Sequence, residues 1–500
     1  MVVVKCCYPS AGFFNLARGN LGAAGLAPPP APRHAARMKT TPTPWPEQTG
    51  ATSFWYRQIG TPKPRAPLAG DSDADICIIG AGFTGLWAAH YLHRADPTLK
   101  ILILEAEFAG FGASGRNGGW LTGGFAWNHD RYLAQSDAAA VRAMVQAMLG
   151  TVEEIISTAK DAGIDADIRR TDELLIATNP AQLARMQAEY QSRRQWGESG
   201  LALLTAAQTA QRLRIPNSLG ALCIPNTARI QPAKLVQGLA RMVEAQGTRI
   251  AEHTRVTAIH PGRVQTTRGT VTARTILRAT EGFTARIPGH GRDLLPLNSA
   301  QIITAPLPAA VWSKIGWQGY EIVGDFANAY CYCQRTEDGR IAVGGRGIPY
   351  RFNNRLDDNG TPDDETIRRL IATLRRHFPA AAMAPIDHAW CGSLGVPRDW
   401  CARVEFDPDT RIGSAGGYVG VGVSTANLAG RTLADLALNR DTALTRLPWV
   451  NRPPRLWEPE PLRWLALRGM YRLLNAADRA EEKGANPSAL ARLGAWIKNS

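Results

Sequence analysis

Residues 74–119 constrain the fold more than any other stretch of the chain. Ala74-Asp75-Ile76-Cys77-Ile78-Ile79 is a β-branched apolar run that reads as a buried strand. Gly80-Ala81-Gly82-Phe83-Thr84-Gly85 follows at once. Leu86–Arg94 then has helix-forming composition and stops before Asp96-Pro97. Lys100–Leu104 is a second apolar strand, and Glu105 at its end lies twenty positions after Gly85. Strand, G-x-G-x-x-G, helix, strand and acidic residue match the dinucleotide-binding unit in motif, context and spacing.

Each part has a physical task. Gly80 makes the tight turn, Gly82 leaves the backbone bare for a pyrophosphate, and Gly85 lets the helix pack on the sheet. Phe83 and Thr84 open that helix, whose free N–H groups and partial positive charge suit phosphate. Glu105, followed by Ala106, accepts hydrogen bonds from a ribose diol and would repel a 2′-phosphate, which disfavours NADP.

A second glycine loop follows: Gly112, Ala113, Ser114, Gly115, Arg116, Asn117, Gly118, Gly119. A plain NAD domain has no need of it, whereas a flavin dinucleotide has, because its pyrophosphate and ring system continue past the first helix. Together, Gly80–Gly85, Glu105 and Gly112–Gly119 resemble the FAD-dependent D-amino acid oxidase superfamily, in the branch of glycine, sarcosine and gamma-glutamylputrescine oxidases. The resemblance runs from roughly Ser53 to Arg440. It implies an α/β chain in which a Rossmann-like FAD-binding domain carries a discontinuous α+β substrate domain built on a mostly antiparallel sheet. The expected division is a disordered extension over 1–52, an FAD domain over 53–163, 226–293 and 389–440, a substrate domain over 164–225 and 294–388, and a basic amphipathic helical tail over 441–500.

The resemblance also implies roles further along. It places the backbone of Val256 on the adenine side of FAD and Thr280 near the pyrophosphate. A third glycine loop, with Gly417, Tyr418, Gly420, Gly422 and Val423, precedes a helix at Thr425–Leu438. A helix N-terminus there would stabilise the negative charge that reduction puts on a flavin. Arg116 falls either near the flavin edge or on the surface against a carboxylate. Amino acid oxidases of the superfamily grip a substrate carboxylate with a Tyr and an Arg on a related strand. Tyr332, Arg335 and Arg346 are the matching catalytic candidates, since Arg pairs bidentately with a carboxylate. Strand alternation sets Tyr330, Tyr332 and Gln334 on one face and Arg335 on the other, which counts against a joint clamp. Cys391 lies where sarcosine oxidases attach their flavin covalently, but one residue out of register; Cys401 is no better placed.

Composition excludes other classes. The net charge of +14 and a pI near 9.7 come from Arg spread along the chain without a block of like charge, so a nucleic-acid partner is not indicated. Such a field suits an anionic cofactor or acidic substrate. No apolar run reaches the ~18 residues of a membrane span. The eight Cys form no C-x-x-C pair and the nine His no metal spacing, so no metal site is expected and reduced thiols point to the cytoplasm. Residues 1–46 hold no acidic residue and are rich in Ala, Pro and Gly. They fit a floppy extension, translation from a start upstream of Met38, or a transit peptide.

The functional expectation is an FAD-dependent oxidoreductase acting on the C–N bond of a small amine or amino acid. Hydride passes to flavin, the imine hydrolyses, and oxygen or another acceptor takes the electrons. The absence of Lys in Leu297–Thr304 leans towards an acceptor other than oxygen. Two alternatives stay open: a D-amino acid or imino acid dehydrogenase feeding a membrane acceptor, with peripheral membrane contact through the tail, and a non-catalytic flavin-binding subunit.

Overall fold

The computed structural model describes residues 45–124, 128–345 and 350–484. Ser72–Ile79 is the middle of a five-stranded parallel array. Ile101–Leu104 and then Arg249–Ala251 lie on one side of it; Thr270–Arg278 and then Ile412–Gly416 lie on the other. Antiparallel Arg403–Asp407 closes one edge, and Val256–His260 and Arg263–Thr266 fold back on Thr270–Arg278. Ile76 and Ile78 pack on one face, Cys77 and Ile79 on the other. Burial on both faces is why the first strand reads as an unbroken apolar run rather than an alternating one.

The helix Phe83–Ala95 leaves this strand through the glycine turn and is buried along most of its length, between Gly422–Ala437 and Pro232–Ala245. Gly430 permits the close crossing, because a Cβ there would stand 2.7 Å from that of Trp87.

The second sheet is mixed. Its strands run Gln48–Thr49, Ile386–Val396, Leu295–Thr304, Ile341–Gly345, Cys331–Arg335, Ile322–Asp325, Arg169–Ala177, Gly220–Arg229, Trp120–Leu121. The first and sixth junctions are parallel. Four placements differ from the expected division: Trp120–Leu121 and residues 226–229, assigned above to the FAD domain, pair with each other in this second sheet. Residues 389–396, assigned above to the FAD domain, pair instead with Leu295–Thr304, from Leu295 opposite Val396 to Thr304 opposite Ile386. Gln48 and Thr49, assigned to the extension, pair with His388 and Ala389. All four depend on long-range partners that local composition does not name.

The helix Leu462–Glu482 docks on the body. Leu467, Met470 and Tyr471 join Leu295, Leu297, Val396 and Trp457 in a small core. Glu481 makes a buried 2.7 Å ion pair with Arg185. Leu462 and Leu465 on the same helix stay exposed. Among the described residues no helix is long and apolar enough to cross a membrane.

Candidate flavin cleft and substrate wall

The three glycine loops converge on one long cleft, and the second sheet forms its far wall. Gly80 has φ +104°, and a Cβ there would lie 2.6 Å from the Ala279 carbonyl oxygen. At Gly85 a Cβ would drive into the Gly80 carbonyl and against Ile78, so only glycine lets this helix seat on its strand. The helix N-cap is Gly82, which offers no capping side chain. Ser114 from the second loop accepts the Phe83 N–H at 2.9 Å instead.

Glu105 ends the second strand with both oxygens engaged. Oε2 accepts from Ala81 N–H (2.9 Å) and Oε1 from Glu107 N–H (3.0 Å). Burial pushes this carboxyl up from its ordinary value, and the two backbone donors oppose that push. Ala106, Thr254, Arg255 and Val256 line the cleft around it.

The third loop is held from below by a residue absent from the candidates above. Glu281 Oε1 accepts from Gly417 N–H (2.9 Å) and Tyr418 N–H (3.0 Å), and Oε2 accepts from Gly395 N–H. Gly417 (φ +78°) and Gly420 (φ +97°) carry the loop through left-handed backbone. Tyr418 reaches Thr84 by a 2.9 Å hydroxyl contact, which ties the third loop to the first. The helix that follows, Gly422–Ala437, also starts without a side-chain cap. Two helix N-termini therefore face one cleft, neither capped by the side chain of its own N-cap residue, an arrangement suited to an anionic dinucleotide.

On the far wall the Tyr332 ring lies against Gly118 and Gly344, where any Cβ would strike it. Its hydroxyl is 2.9 Å from Ser299 Oγ, and Trp120 meets the ring edge-on at 6.2 Å. Gln301 donates through Nε2 to the Arg116 carbonyl (2.7 Å), which leaves Oε1 buried without a partner among the described residues. Ser299, Gln301, Trp120 and Thr122 were not singled out from sequence. The signal was there for Ser299 and Gln301, as polar residues in the middle of an apolar strand.

Of the expected cofactor-binding residues, Gly80, Gly82, Phe83, Thr84, Glu105, Ala106, Gly112, Ala113, Ser114, Arg116, Asn117, Gly118, Val256, Thr280, Tyr418, Gly420, Gly422 and Val423 line the cleft. Gly85, Gly119 and Gly417 lie behind it and shape it. One expectation is corrected. Arg335 is off the cleft: it lies over the rings of Trp312 (4.1 Å) and Tyr320 (4.2 Å) and donates to the Trp317 carbonyl, because strand alternation turns it away from Tyr332. Arg116 lines the cleft and does not take the surface alternative. It is buried, donates to the carbonyls of Phe111 (2.7 Å) and Asp358 (2.9 Å), and stacks on Phe111, so it fixes the second loop. Arg346 lies outside the described residues. The Cys391 thiol faces the apolar core behind the wall, where burial pushes it up to about 11, and neither it nor Cys401 lines the cleft.

A parallel nucleotide sheet, three glycine loops and an aromatic wall from a second sheet define a flavin-dependent oxidoreductase. The profile of the FAD dependent oxidoreductase (DAO) family matches residues 75–436, and the chain belongs to that family, with FAD as its cofactor. The chain is 30% identical to gamma-glutamylputrescine oxidoreductase of Escherichia coli, covering 72% of this chain and 83% of that protein. It is 29% identical to the probable oxidoreductase OrdL of Rhizobium meliloti, over 80% and 91%. Its structure is similar to that of glycine oxidase from Geobacillus kaustophilus (TM-score 0.64, 21% identity, 77% of this chain and 99% of that one). The residues present fit FAD: Gly80 and Gly85 leave no room for side chains, neither helix N-cap residue supplies a capping side chain, and Glu105 is held at the end of its strand.

Proposed function

We propose that the chain oxidises the C–N bond of a small amine or amino acid, giving an imine that water hydrolyses to a carbonyl compound. When bound, FAD accepts the hydride from the carbon next to nitrogen and passes the electrons to oxygen or another acceptor. Residues 53–119, 122–163, 230–293 and 397–440 hold the cofactor on this reading, and the second sheet holds the substrate.

One observation carries the proposal. Around Tyr332, Ser299, Gln301, Trp120 and Val421 the described wall is aromatic and polar but uncharged. Such a wall favours a neutral amine over an ammonium ion, because a buried cation needs a paired charge. The neutral form is the one that can release hydride. Gln301 has its amide orientation fixed by Arg116, so its free Oε1 accepts an N–H from the substrate. Tyr332 and Trp120 pack the carbon chain and exclude water. No acid–base dyad is required, because positioning carries the reaction. The match to gamma-glutamylputrescine oxidoreductase supports an N-substituted, polyamine-derived amine.

The test is anaerobic titration of the purified protein with a panel of amines and amino acids, read by flavin absorbance. Bleaching by an amine class supports the reading. A full flavin spectrum that none of the panel bleaches would remove it in favour of a non-catalytic flavoprotein. The dehydrogenase reading has its own support in Leu462 and Leu465, exposed on the basic helix Leu462–Glu482. It predicts turnover with a quinone analogue but not with oxygen, and binding to anionic vesicles.

A further inference from the structure

The face of the second sheet opposite Tyr332 carries a cluster that the flavin reaction does not use. Asp325 ends the strand Ile322–Asp325, Cys331 begins Cys331–Arg335, and His377 is the last residue of the helix Asp364–His377. All three are at least nine-tenths buried. Three atoms converge: Cys331 Sγ is 3.4 Å from Asp325 Oδ2 and 3.8 Å from His377 Nε2, and Nε2 is 3.5 Å from Oδ2.

We propose that Asp325, Cys331 and His377 are ligands of a structural zinc ion. Two of the three separations are within hydrogen-bond reach of sulfur, and it is the third, between Asp325 and His377, that favours an ion at the centre. A buried aspartate–imidazolium pair closes to about 2.7–2.9 Å, but here the N···O separation stays at 3.5 Å. Zinc bonds of about 2.3 Å to sulfur and about 2.0–2.2 Å to nitrogen and oxygen, at tetrahedral angles, separate the ligands by about 3.4–3.6 Å. The observed triangle has that size, its longest edge 0.2 Å over.

The surroundings fit as well. Asp325 Oδ1 is taken up by the backbone N–H groups of Ala327 (3.3 Å) and Cys331 (3.0 Å), which leaves Oδ2 aimed at the centre. His377 Nδ1 lies 3.1 Å from the Thr373 carbonyl. A proton on Nδ1 satisfies that contact and leaves the Nε2 lone pair pointing at the centre, the usual second-layer arrangement of a ligating histidine. A thiolate, a carboxylate and a neutral imidazole around Zn²⁺ carry no net charge, so burial of the assembly is affordable. The sequence showed no metal spacing because the ligands lie 6 and 46 residues apart, on two strands and a helix. Zinc here would pin the helix to the strand whose other face presents Tyr332.

The holoenzyme, purified from cells grown with zinc, is assayed for metal by plasma mass spectrometry. About one zinc per chain is expected. Exchange for Co²⁺ then gives tetrahedral cobalt absorption to the red of the flavin bands. Cys331→Ser and His377→Ala each lose the zinc. Trace metal in the wild-type protein with no cobalt absorption overturns the site, and so does full zinc retention in both variants. Should the variants fail to fold, the wild-type zinc content and cobalt spectrum decide alone.

Discussion

Replacing Glu281 by alanine tests how the third glycine loop is held. The carboxylate is the acceptor for three backbone N–H groups, those of Gly395, Gly417 and Tyr418. A buried donor left without a partner costs about 1–3 kcal/mol, so three would cost up to about 9. Two effects reduce this. Burial already pushes the Glu281 carboxyl up from its ordinary value, so the charge is costly to bury and its removal returns part of the loss. The vacated space also admits water. The lower end, about 3–5 kcal/mol, is the expected destabilisation, which at this chain length lowers Tm by roughly 3–5 °C. Glu281→Gln keeps one carbonyl oxygen for Gly417 and Tyr418 but turns an amide N–H₂ towards Gly395, and should cost about 1.5–3 kcal/mol. Thermal unfolding followed by circular dichroism and by release of flavin fluorescence gives both numbers. FAD affinity should fall by more than about tenfold in the alanine variant, since more than 1.4 kcal/mol of the loss sits in a loop that lines the cleft. A Glu281→Ala protein that melts within about 1 °C of wild type and holds FAD as tightly would refute the reasoning. So would a Gln variant worse than the Ala one.

Glu105→Ala removes the acceptor for Ala81 and Glu107 N–H and for the ribose; equilibrium dialysis should show FAD binding weakened roughly 10- to 100-fold, about 1.5–3 kcal/mol. Arg335→Met should lower stability by about 1–2 kcal/mol through loss of its stacking on Trp312 and Tyr320, with KM for the amine unchanged; a raised KM at full stability would return Arg335 to the substrate. His90, His93 and His388 are held below their ordinary pKa, chiefly by burial. Their neutral forms stabilise the fold fully above pH 6.5, the ordinary value, and that contribution is lost as the unfolded chain takes up protons at lower pH. Urea midpoints should therefore fall between pH 6.5 and 5, and less steeply in His388→Gln.

The parts legible in the sequence were those with local causes. Gly80, Gly82 and Gly85 act within one turn, and their spacing to Glu105 is set by a single helix and strand. Strand alternation alone put Arg335 on the wrong face for a clamp with Tyr332, and the structure bears that out. What escaped was non-local. Residues 389–396 read as an apolar run, but which sheet they join depends on Leu295–Thr304, about ninety residues earlier. Arg116 finds its acceptors at Asp358, and Glu281 its donors at Gly395 and Gly417. No window on the sequence contains both partners of any of these.

The same contrast explains why no catalytic dyad stood out. Where a cofactor carries the electrons, the protein's work is positioning, and positioning is done by backbone and neutral side chains that leave weak sequence signals. Gln301 shows the difficulty. Its Nε2 is committed to a carbonyl of the second loop, so its Oε1 is aimed by the backbone of Arg116. Arg116 is in turn held by carbonyls at Phe111 and Asp358. A substrate atom at Oε1 would thus be placed by a chain of contacts running from the second glycine loop through the substrate sheet. On the proposed reading the loop at the cofactor and the residue at the substrate share one hydrogen bond, so a change at Arg116 should disturb both flavin binding and amine KM, whereas a change at Gln301 should disturb KM alone.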